Sequence, residues 1–400
     1  MRDTSSTGSR SRRSRESTGS RGSRGRVSGT AVALAVAAAL GLAGCSPQSN
    51  PPPPAPPAPT DTAFPTAETQ VQPTGTPTVL ATGLNAPWSV VRLENGSALI
   101  SERDTAMVKE LTAEGELREV GTITGVSPGG EGGLLGIEAL VDGGATWLYA
   151  YFTSTSDNRI VRMPLGGAAG ALTLGEASVV LDGIAKASNH NGGRIKFGPD
   201  GMLYATTGDA GQAGRAQEQA SLNGKILRMA PTGAAPEDNP TAGSLVYSLG
   251  HRNPQGLAWD ADDRLWAAEF GQNTWDELNI IAPGQNYGWP EVEGIANVDG
   301  YVNPVYQWST AEASPSGLAL VSNTLFLAAL RGEALWAIYP TAERVDAVAW
   351  FTGEYGRLRD AVPGPDGTLW VLTNNTDGRG SPNQGDDKLI EIRLTELVEG

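Results

Sequence analysis

From residue 79 onward the chain repeats one short pattern, a polar turn of Asp, Asn or Gly followed by an apolar run. The copies occupy residues 94–101, 142–150, 199–206, 262–268, 322–328 and 365–372. Each copy contains one equivalent leucine: Leu99, Leu148, Leu203, Leu265, Leu325 and Leu369. Each is typical of a hairpin turn that leads into a β-strand. Six such units without helical periodicity between them predict an all-β chain, a six-bladed β-propeller over residues 79–400.

The first 45 residues differ from this pattern and have the features of an export signal. A basic segment to Arg26 precedes an apolar run over residues 31–43, which is short for a membrane span. The run ends in Leu42-Ala43-Gly44-Cys45, and Cys45 is the single cysteine of the chain. This resembles a bacterial lipobox, so residues 1–45 are predicted to be a lipoprotein signal peptide with lipidation at Cys45. An ordinary buried cysteine is the alternative.

Residues 46–78 are rich in proline, threonine and alanine, and include a run of prolines over residues 51–59. Such a segment cannot bury a core and favours an extended spacer. The sequence therefore predicts a tether over residues 46–78 and an exported domain, lipid-anchored at the outer face of a bacterial cell membrane. The lipid anchor is the one membrane contact expected.

The charge of the chain limits its partners. The formal net charge is −15, and residues 1–45 contribute +6 from eight arginines and two acidic residues, which leaves −15 − 6 = −21 for the remainder. A domain this acidic cannot bind a nucleic-acid backbone by neutralising phosphates, so no nucleic-acid partner is expected. Neutral molecules, metal cations, or anions in a local cationic pocket are the remaining partners.

The chain has two histidines, and both lie in glycine-containing loops. His190 precedes a repeat strand, and a hairpin back to Asp209 places both residues at the same end of the sheet. A histidine oriented by a carboxylate is the usual general-base pair. A structural histidine bound to a loop carbonyl is the alternative for His190. His251 lies beside Arg252 and Asn253, two donors suited to a carbonyl or carboxylate.

Further arginines occur in loops of the later repeats, namely Arg331, Arg357 and Arg359. In an extended segment Arg357 and Arg359 point to the same face. If these arginines converge on one mouth of the propeller they form an anion site, and if they are scattered they are ordinary surface charges. The segment around Asp276 and Glu277 is rich in oxygen donors that suit calcium, with a solvated acidic turn as the alternative.

Several motifs occur in a fixed order along the chain. They are Asn85-Ala-Pro-Trp-Ser89, Glu131-Gly-Gly-Leu-Leu-Gly136, His190-Asn-Gly-Gly-Arg-Ile195, Gly250-His-Arg-Asn-Pro-Gln-Gly256, Glu269-Phe-Gly271, Asn286-Tyr-Gly-Trp-Pro290 and Arg357-Leu-Arg-Asp360. Over residues 79–394 the chain resembles the pyrroloquinoline quinone (PQQ)-dependent sugar dehydrogenases of the glucose/sorbosone dehydrogenase family, and most closely the aldose sugar dehydrogenase branch. That family has a six-bladed propeller.

The resemblance implies an enzyme that oxidises an aldose at C1 and passes electrons through PQQ to a further acceptor, a quinone or a small redox carrier. In this family His190 matches the base that takes the anomeric hydroxyl proton, and Asp209 matches the carboxylate that orients it. Arg252 and Asn253 match residues that contact the quinone, with Arg252 in the catalytic set.

The same resemblance implies that Arg331, Arg357 and Arg359 bind the carboxylates of PQQ. Arg331 stands where the glucose-specific branch has lysine.

Calcium is the second cofactor that the resemblance implies. The carbonyls of Gly271 and Gln272 match ligands of the calcium that also binds PQQ, and Glu277 and Tyr287 match a second, structural calcium site. Glu131 matches a substrate-pocket position.

Three departures from the glucose-specific branch leave the sugar open. That branch has glutamine at Glu131 and aspartate at Asn189, and the loop over residues 209–217 has another spacing.

Two other classes are compatible with a six-bladed propeller. A lactonase-like hydrolase also uses calcium in the channel, but it activates water with acidic and asparagine ligands and does not need the arginines. A non-catalytic propeller that binds glycans needs neither His190 nor the arginines.

Overall fold

Six antiparallel sheets arranged as the blades of a β-propeller make up residues 69–397, the part of the chain that this computed structural model describes. The predicted all-β, six-bladed architecture is confirmed. The regular helical segments within these residues are two short 3₁₀ turns, Ala213–Ala216 and Pro365–Gly367. No helix in this range has the length and hydropathy needed to cross a membrane.

The first three blades are formed by strands that follow one another along the chain. Blade 1 contains β2 (Pro87–Arg92), β3 (Ala98–Glu102), β4 (Met107–Leu111) and β5 (Leu117–Thr122). Blade 2 contains β6 (Leu134–Asp142), β7 (Ala145–Thr153), β8 (Asn158–Gly166) and β10 (Ser178–Ile184), with β9 (Thr173–Leu174) paired to β8. Blade 3 contains β11 (Ile195–Phe197), β12 (Leu203–Thr207), β13 (Lys225–Met229) and β14 (Val246–Leu249).

The last three blades continue the ring, and blade 6 combines both ends of the described chain. Blade 4 contains β15 (Pro254–Trp259), β16 (Leu265–Glu269), β17 (Trp275–Ile281) and β18 (Tyr306–Ser309). Blade 5 contains β19 (Pro315–Val321), β20 (Thr324–Ala329), β21 (Ala334–Pro340) and β22 (Val345–Trp350). Blade 6 contains β23 (Leu358–Pro363), β24 (Leu369–Thr373), β25 (Leu389–Glu396) and β1 (Val71–Ala81).

The repeated leucines hold equivalent positions in this ring. Each lies in the second strand of its blade, and each is at most 3% exposed: Leu99, Leu148, Leu203, Leu265, Leu325 and Leu369. Burial of a leucine side chain contributes about 1.5–3 kcal/mol. The apolar pattern of the sequence therefore marks the layers between neighbouring blades.

Strand β1 corrects the predicted end of the proline-rich tether. The tether was predicted to reach residue 78, but β1 begins at Val71 and pairs antiparallel with β25, from Val71 opposite Glu396 to Ala81 opposite Leu389. Val71 is buried in the core between blades 5 and 6. The sequence pattern did not predict this strand, because Pro73 and Pro77 are typical of a proline-rich spacer. Prolines are nevertheless tolerated in an edge strand. The signal peptide, Cys45 and the tether to residue 68 lie outside the described residues.

The strand order also determines where loops can meet. The first strands of neighbouring blades contact each other around the axis, so they are innermost. Because successive antiparallel strands reverse direction, the start of a first strand and the end of a second strand lie at the same end of a blade. We call this end of the ring the first mouth: it is formed by the loops before each first strand and between each second and third strand.

Candidate active site

His190 and Asp209 form a hydrogen-bonded pair at the first mouth. His190 lies in the loop before β11 and Asp209 in the loop after β12, and the Nδ1 to Oδ1 distance is 2.8 Å. The sequence predicted this proximity. A carboxylate can only accept, so Nδ1 carries the proton and Nε2 is the nitrogen available as a base. His190 has a positive φ of 55°, a conformation that costs a non-glycine residue energy and is typical of functional sites.

Asp209 is held ionised by the groups around it. Burial by itself raises its pKa, but the side chain of His190, the N–H of Gly211 and the indole of Trp289 outweigh burial and hold the pKa of Asp209 below its usual range. Gly211 N–H donates to Oδ1 at 2.7 Å, and Trp289 Nε1 donates to Oδ2 at 3.0 Å. Both oxygens are thus fixed, and the orientation of the imidazole follows from them.

Glu131 contacts the backbone of the same histidine from blade 2. Its Oε2 accepts the N–H of His190 at 2.9 Å, and its Oε1 lies 3.1 Å from Nη1 of Arg379. Glu131 N–H donates to Ser188 O at 2.8 Å, which brings the two loops together. The residue predicted to face a substrate therefore lies one hydrogen bond from the backbone of the predicted base.

Five arginines line one cavity of about 240 Å³ at the first mouth: Arg103, Arg331, Arg357, Arg359 and Arg379. Trp88, Glu131, Gln255, Phe270, Ser314 and Leu330 complete its wall. The three arginines predicted in later repeats do converge, and the alternative of scattered surface charges is wrong. In a domain of strongly negative charge, this cavity is a local cationic site.

Asp377 holds two of these guanidinium groups in place. Its Oδ2 lies 3.0 Å from Nη2 of Arg357 and 3.7 Å from Nη2 of Arg359. Burial lowers the pKa of Arg359 to about 9; Asp377 opposes this, while repulsion from Arg357 and Arg103 adds to it. Among the described residues, the buried Nε atoms of Arg357 and Arg359 have no hydrogen-bond partner. Two of the five cavity arginines thus have an N–H group that no acceptor of the described chain binds.

Arg252 and Asn253 lie in the loop before β15, beside the histidine pair. Arg252 O accepts the N–H of Asp209 at 2.8 Å, and the guanidinium lies over the ring of Trp289, 5.5 Å from its centroid. Burial lowers the pKa of Arg252, and its buried Nε also lacks a partner within the described chain. Asn253 Oδ1 accepts the N–H of Gly192 at 3.0 Å, which leaves its amide N–H groups to bind other acceptors.

Gly271 and Gln272 follow β16 and have their N–H groups bound by carboxylates. Gly271 N–H donates to Oδ1 of Asp276 at 2.8 Å, and Gln272 N–H donates to Glu293. The second oxygen of Asp276 accepts the N–H of Ser314, and burial raises the pKa of Asp276 to about 6. Asp276 therefore fixes two loops, and the carbonyl oxygens of Gly271 and Gln272 are the groups this loop can offer to a cation.

Glu277 and Tyr287 belong to one buried group of side chains. Glu277 lies opposite Glu269 in the sheet register, and burial together with the charge of Glu269 raises the pKa of Glu277 to about 8. Glu269 Oε2 lies 2.8 Å from Nδ1 of His251, whose ring stacks on Tyr287 with centroids 4.9 Å apart. The Tyr287 hydroxyl donates to Ile280 O and accepts the N–H of Ala282. Because the hydroxyl is bound in this way, the backbone carbonyl is the group through which Tyr287 would contact a cation.

Four residues of the site had no role assigned from the sequence: Arg103, Arg379, Asp377 and Trp88. The sequence does contain a signal for Arg103, Asp377 and Arg379. Each lies in the loop that follows the repeat strand of its blade, as Asp209 and Arg331 do. Trp88 lies in the motif around Pro87, where it ends up between Arg194 at 4.4 Å and Arg359 at 5.8 Å from its ring centroid.

Fold and site together define a class, a six-bladed propeller with a histidine–carboxylate pair and an arginine-lined cavity at one mouth. The family model for glucose/sorbosone dehydrogenases matches residues 84–384. The chain belongs to this family, and the resemblance inferred from its motifs is confirmed.

Solved structures and curated proteins agree with this membership. A PQQ-bound aldose sugar dehydrogenase from Streptomyces coelicolor is 51% identical, with a TM-score of 0.77, and the match covers 83% of this chain and 100% of that one. An aldose sugar dehydrogenase of Escherichia coli is 28% identical over 75% of this chain and 90% of its own length. A quinoprotein glucose dehydrogenase B of Acinetobacter calcoaceticus is 37% identical over 39% of this chain and 37% of its own.

Proposed function

We propose that this protein oxidises aldose sugars at C1 to the lactone, with PQQ and calcium as cofactors and His190 as the general base. Membership of the family and the 51% identity to a PQQ-bound aldose sugar dehydrogenase support a quinoprotein oxidoreductase. The observation that carries the proposal is the convergence of the arginine-lined cavity with the His190–Asp209 pair at one mouth.

The arginine cavity fits a cofactor with three carboxylates. Arg357 and Arg359 of the cavity, and Arg252 beside the histidine pair, each have a buried Nε that no group of the described chain binds. Each guanidinium prefers a carboxylate in a planar, two-point contact. Arg331 lines the same cavity and adds a further cation. PQQ, when bound, supplies an ortho-quinone that accepts a hydride. A lactonase-like hydrolase, the alternative class, would have no ligand for these arginines.

In the proposed reaction, residues of this chain remove the proton of the anomeric hydroxyl. Asp209 fixes His190 with Nδ1 protonated, so Nε2 takes the proton of the anomeric hydroxyl as the C1–H bond breaks. With that proton on His190, C1 would give up its hydride to the quinone that the arginines would hold, and the sugar would be released as a lactone. We assign to Arg252 the stabilisation of the negative charge that this transfer would create, because Arg252 adjoins Asp209 and its buried Nε has no partner in the described chain.

Calcium fits the two oxygen-rich places described above. The carbonyls of Gly271 and Gln272 suit a hard cation shared with the cofactor. The close carboxylates of Glu269 and Glu277, with the unpartnered Oδ1 of Asn279 beside them in the described chain, favour a dication there. No group of three or more His, Cys, Asp or Glu side chains with the spacing of a metal site occurs among residues 69–397, so carbonyls must complete either site.

Reconstitution tests the proposal. The purified protein is dialysed against EGTA and then given PQQ, calcium, or both, and reduction of a redox dye with a panel of aldoses is followed. We expect activity only with both additions, because the ion and the cofactor share coordination. Full activity without PQQ, or hydrolysis of sugar lactones in place of dye reduction, contradicts it.

A further inference from the structure

The ion pair between Glu131 and Arg379 joins two loops that are far apart in sequence. Glu131 lies before β6 of blade 2, and Arg379 lies between β24 and β25 of blade 6. Both side chains line the arginine cavity, and they are 25% and 47% exposed respectively. The pair thus lies in a part of the cavity wall that a molecule entering from solvent can reach.

Three of the other four arginines of the cavity have carboxylate partners of their own. Arg103 is paired with Asp104 at 2.7 Å, and Arg357 and Arg359 face Asp377 and the anionic cofactor required by the proposed function. Glu131 and Arg379 have each other, so their combined charge is zero. The edge they form offers carboxylate acceptors next to guanidinium donors, which suits the hydroxyl groups of a neutral sugar.

This edge lies next to His190. Glu131 Oε2 accepts the backbone N–H of His190 at 2.9 Å, and the ring of His190 must reach the anomeric hydroxyl. We therefore expect a substituent elsewhere on the same sugar ring to come within about 4 Å of the pair. At that range two unit charges interact by about 1 kcal/mol in water-like surroundings.

We propose that the Glu131–Arg379 pair keeps this edge of the substrate pocket electrically neutral, so that neither uronic acids nor amino sugars gain affinity over neutral aldoses. This rests on the proposed function, because it assumes that an aldose reaches His190. Glu131 alone would attract a protonated amino sugar and Arg379 alone would attract a uronate, and in the pair each residue cancels the attraction that the other would exert.

Two single variants and their double variant test the charge assignment. In Glu131→Gln the ratio of kcat/KM for glucuronate to that for glucose rises at least about fivefold, the equivalent of about 1 kcal/mol. In Arg379→Gln the same ratio for glucosamine, measured below neutral pH, rises by a similar factor. The double variant Glu131→Gln/Arg379→Gln returns both ratios toward the wild-type values. Ratios within one variant cancel any difference in cofactor loading.

Asp346→Asn is the matched control, because Asp346 forms an exposed ion pair with Arg344 on blade 5. It removes the same charge without touching the cavity, and both ratios stay at the wild-type values. If Glu131→Gln and Arg379→Gln lower kcat equally for all three sugars and leave the ratios unchanged, the pair only positions His190, and the proposal is wrong.

A binding measurement separates this proposal from the proposed function. Dissociation constants of the three sugars for the wild-type protein and each variant, obtained by calorimetry, should follow the same charge pattern. If the wild type fails to oxidise any aldose but the variants still exchange preference for glucuronate and glucosamine, the function is wrong and the selectivity stands. Equal affinities in all variants overturn the selectivity.

Discussion

At the scale of single residues, the two histidines have opposite surroundings. His251 is fully buried, with one nitrogen on Glu269 and the other on Ser248, both at 2.8 Å, and with its ring against Tyr287. Every polar atom of its side chain is occupied, as expected of a structural residue. His190 uses only Nδ1, on Asp209, and its side chain is 14% exposed. The surroundings of the two side chains therefore differ more than their residue type, and they favour His190 over His251 as the proposed base.

Replacement of His190 by alanine should lower kcat by about 10²–10⁴-fold, the usual contribution of a general base. Stopped-flow reduction of the PQQ-loaded protein by an aldose measures this step directly. His251→Ala is expected to lower the unfolding temperature, with a smaller loss of kcat. A His190→Ala protein that is reduced at the wild-type rate would disprove the assignment.

Asp209 supplies a pH test with a defined sign. Its pKa lies below the usual range, so its stabilising contribution is present above about pH 4 and is lost as the pH falls through its lower folded-state pKa. In Asp209→Asn this contribution is absent, so the stability of the variant should fall less than that of the wild type as the pH drops below about 4. The value of kcat should also fall, because the imidazole loses the carboxylate that orients it. Thermal unfolding on both sides of this pH and kcat measure the two effects, and an identical pH dependence of unfolding in both proteins contradicts the pairing.

At the scale of elements, β1 closes the ring by adding an outer strand to blade 6. It pairs only with β25, yet its Val71 reaches the core between blades 5 and 6, and Val71 N–H donates to Oγ1 of Thr324 at 2.8 Å. Without β1, the edge of β25 and part of this core face solvent.

Deletion of residues 1–81 should therefore lower the unfolding temperature by several degrees relative to deletion of residues 1–68. A change of 1 kcal/mol shifts the midpoint of a domain of 150–250 residues by about 2–4 °C, and that of a larger domain by less. The removal of β1 exposes Val71 and the ladder with β25, so we expect it to cost several times this energy. Differential scanning calorimetry of both truncations makes the comparison. Equal midpoints would show that the other three strands of blade 6 suffice.

At the scale of the whole molecule, Arg194 ties the inner strands of several blades together. Just before β11 of blade 3, it donates to Ser89 Oγ at 3.0 Å on blade 1, to Gln255 O at 2.9 Å on blade 4 and to Asp360 at 2.9 Å on blade 6. Gln255 in turn accepts from Arg359 at 3.0 Å. These hydrogen bonds near the axis thus connect Gln255 and Arg359 of the arginine cavity to four blades. The shape of the cavity therefore does not depend on a single loop.

The location of the whole molecule follows from Cys45, which we propose is lipidated after export. Cys45→Ser should move the protein from the detergent phase to the aqueous phase, or leave the signal peptide uncleaved, because the thiol is the acceptor of the lipid. Phase partitioning followed by mass spectrometry of the N-terminus measures both effects. Unchanged partitioning of Cys45→Ser shows that this cysteine is not an anchor.

The sequence alone determined the number and order of blades, because a turn and an apolar strand are local patterns and each repeat carries both. It also placed His190 and Asp209 together, since one hairpin connects them. Arg357 and Arg359 could be assigned to one face because they are two residues apart in an extended segment.

Only the tertiary structure decided which distant residues meet. Arg103 and Arg379 lie 276 positions apart, yet both line one cavity because the ring brings blade 6 beside blade 1. Glu131 and Arg379 pair across the same mouth, and Val71 joins a blade otherwise built from the C-terminal strands. Hydrophobic periodicity constrains each strand locally, whereas these contacts depend on how six twisted sheets close around an axis, which no local pattern encodes.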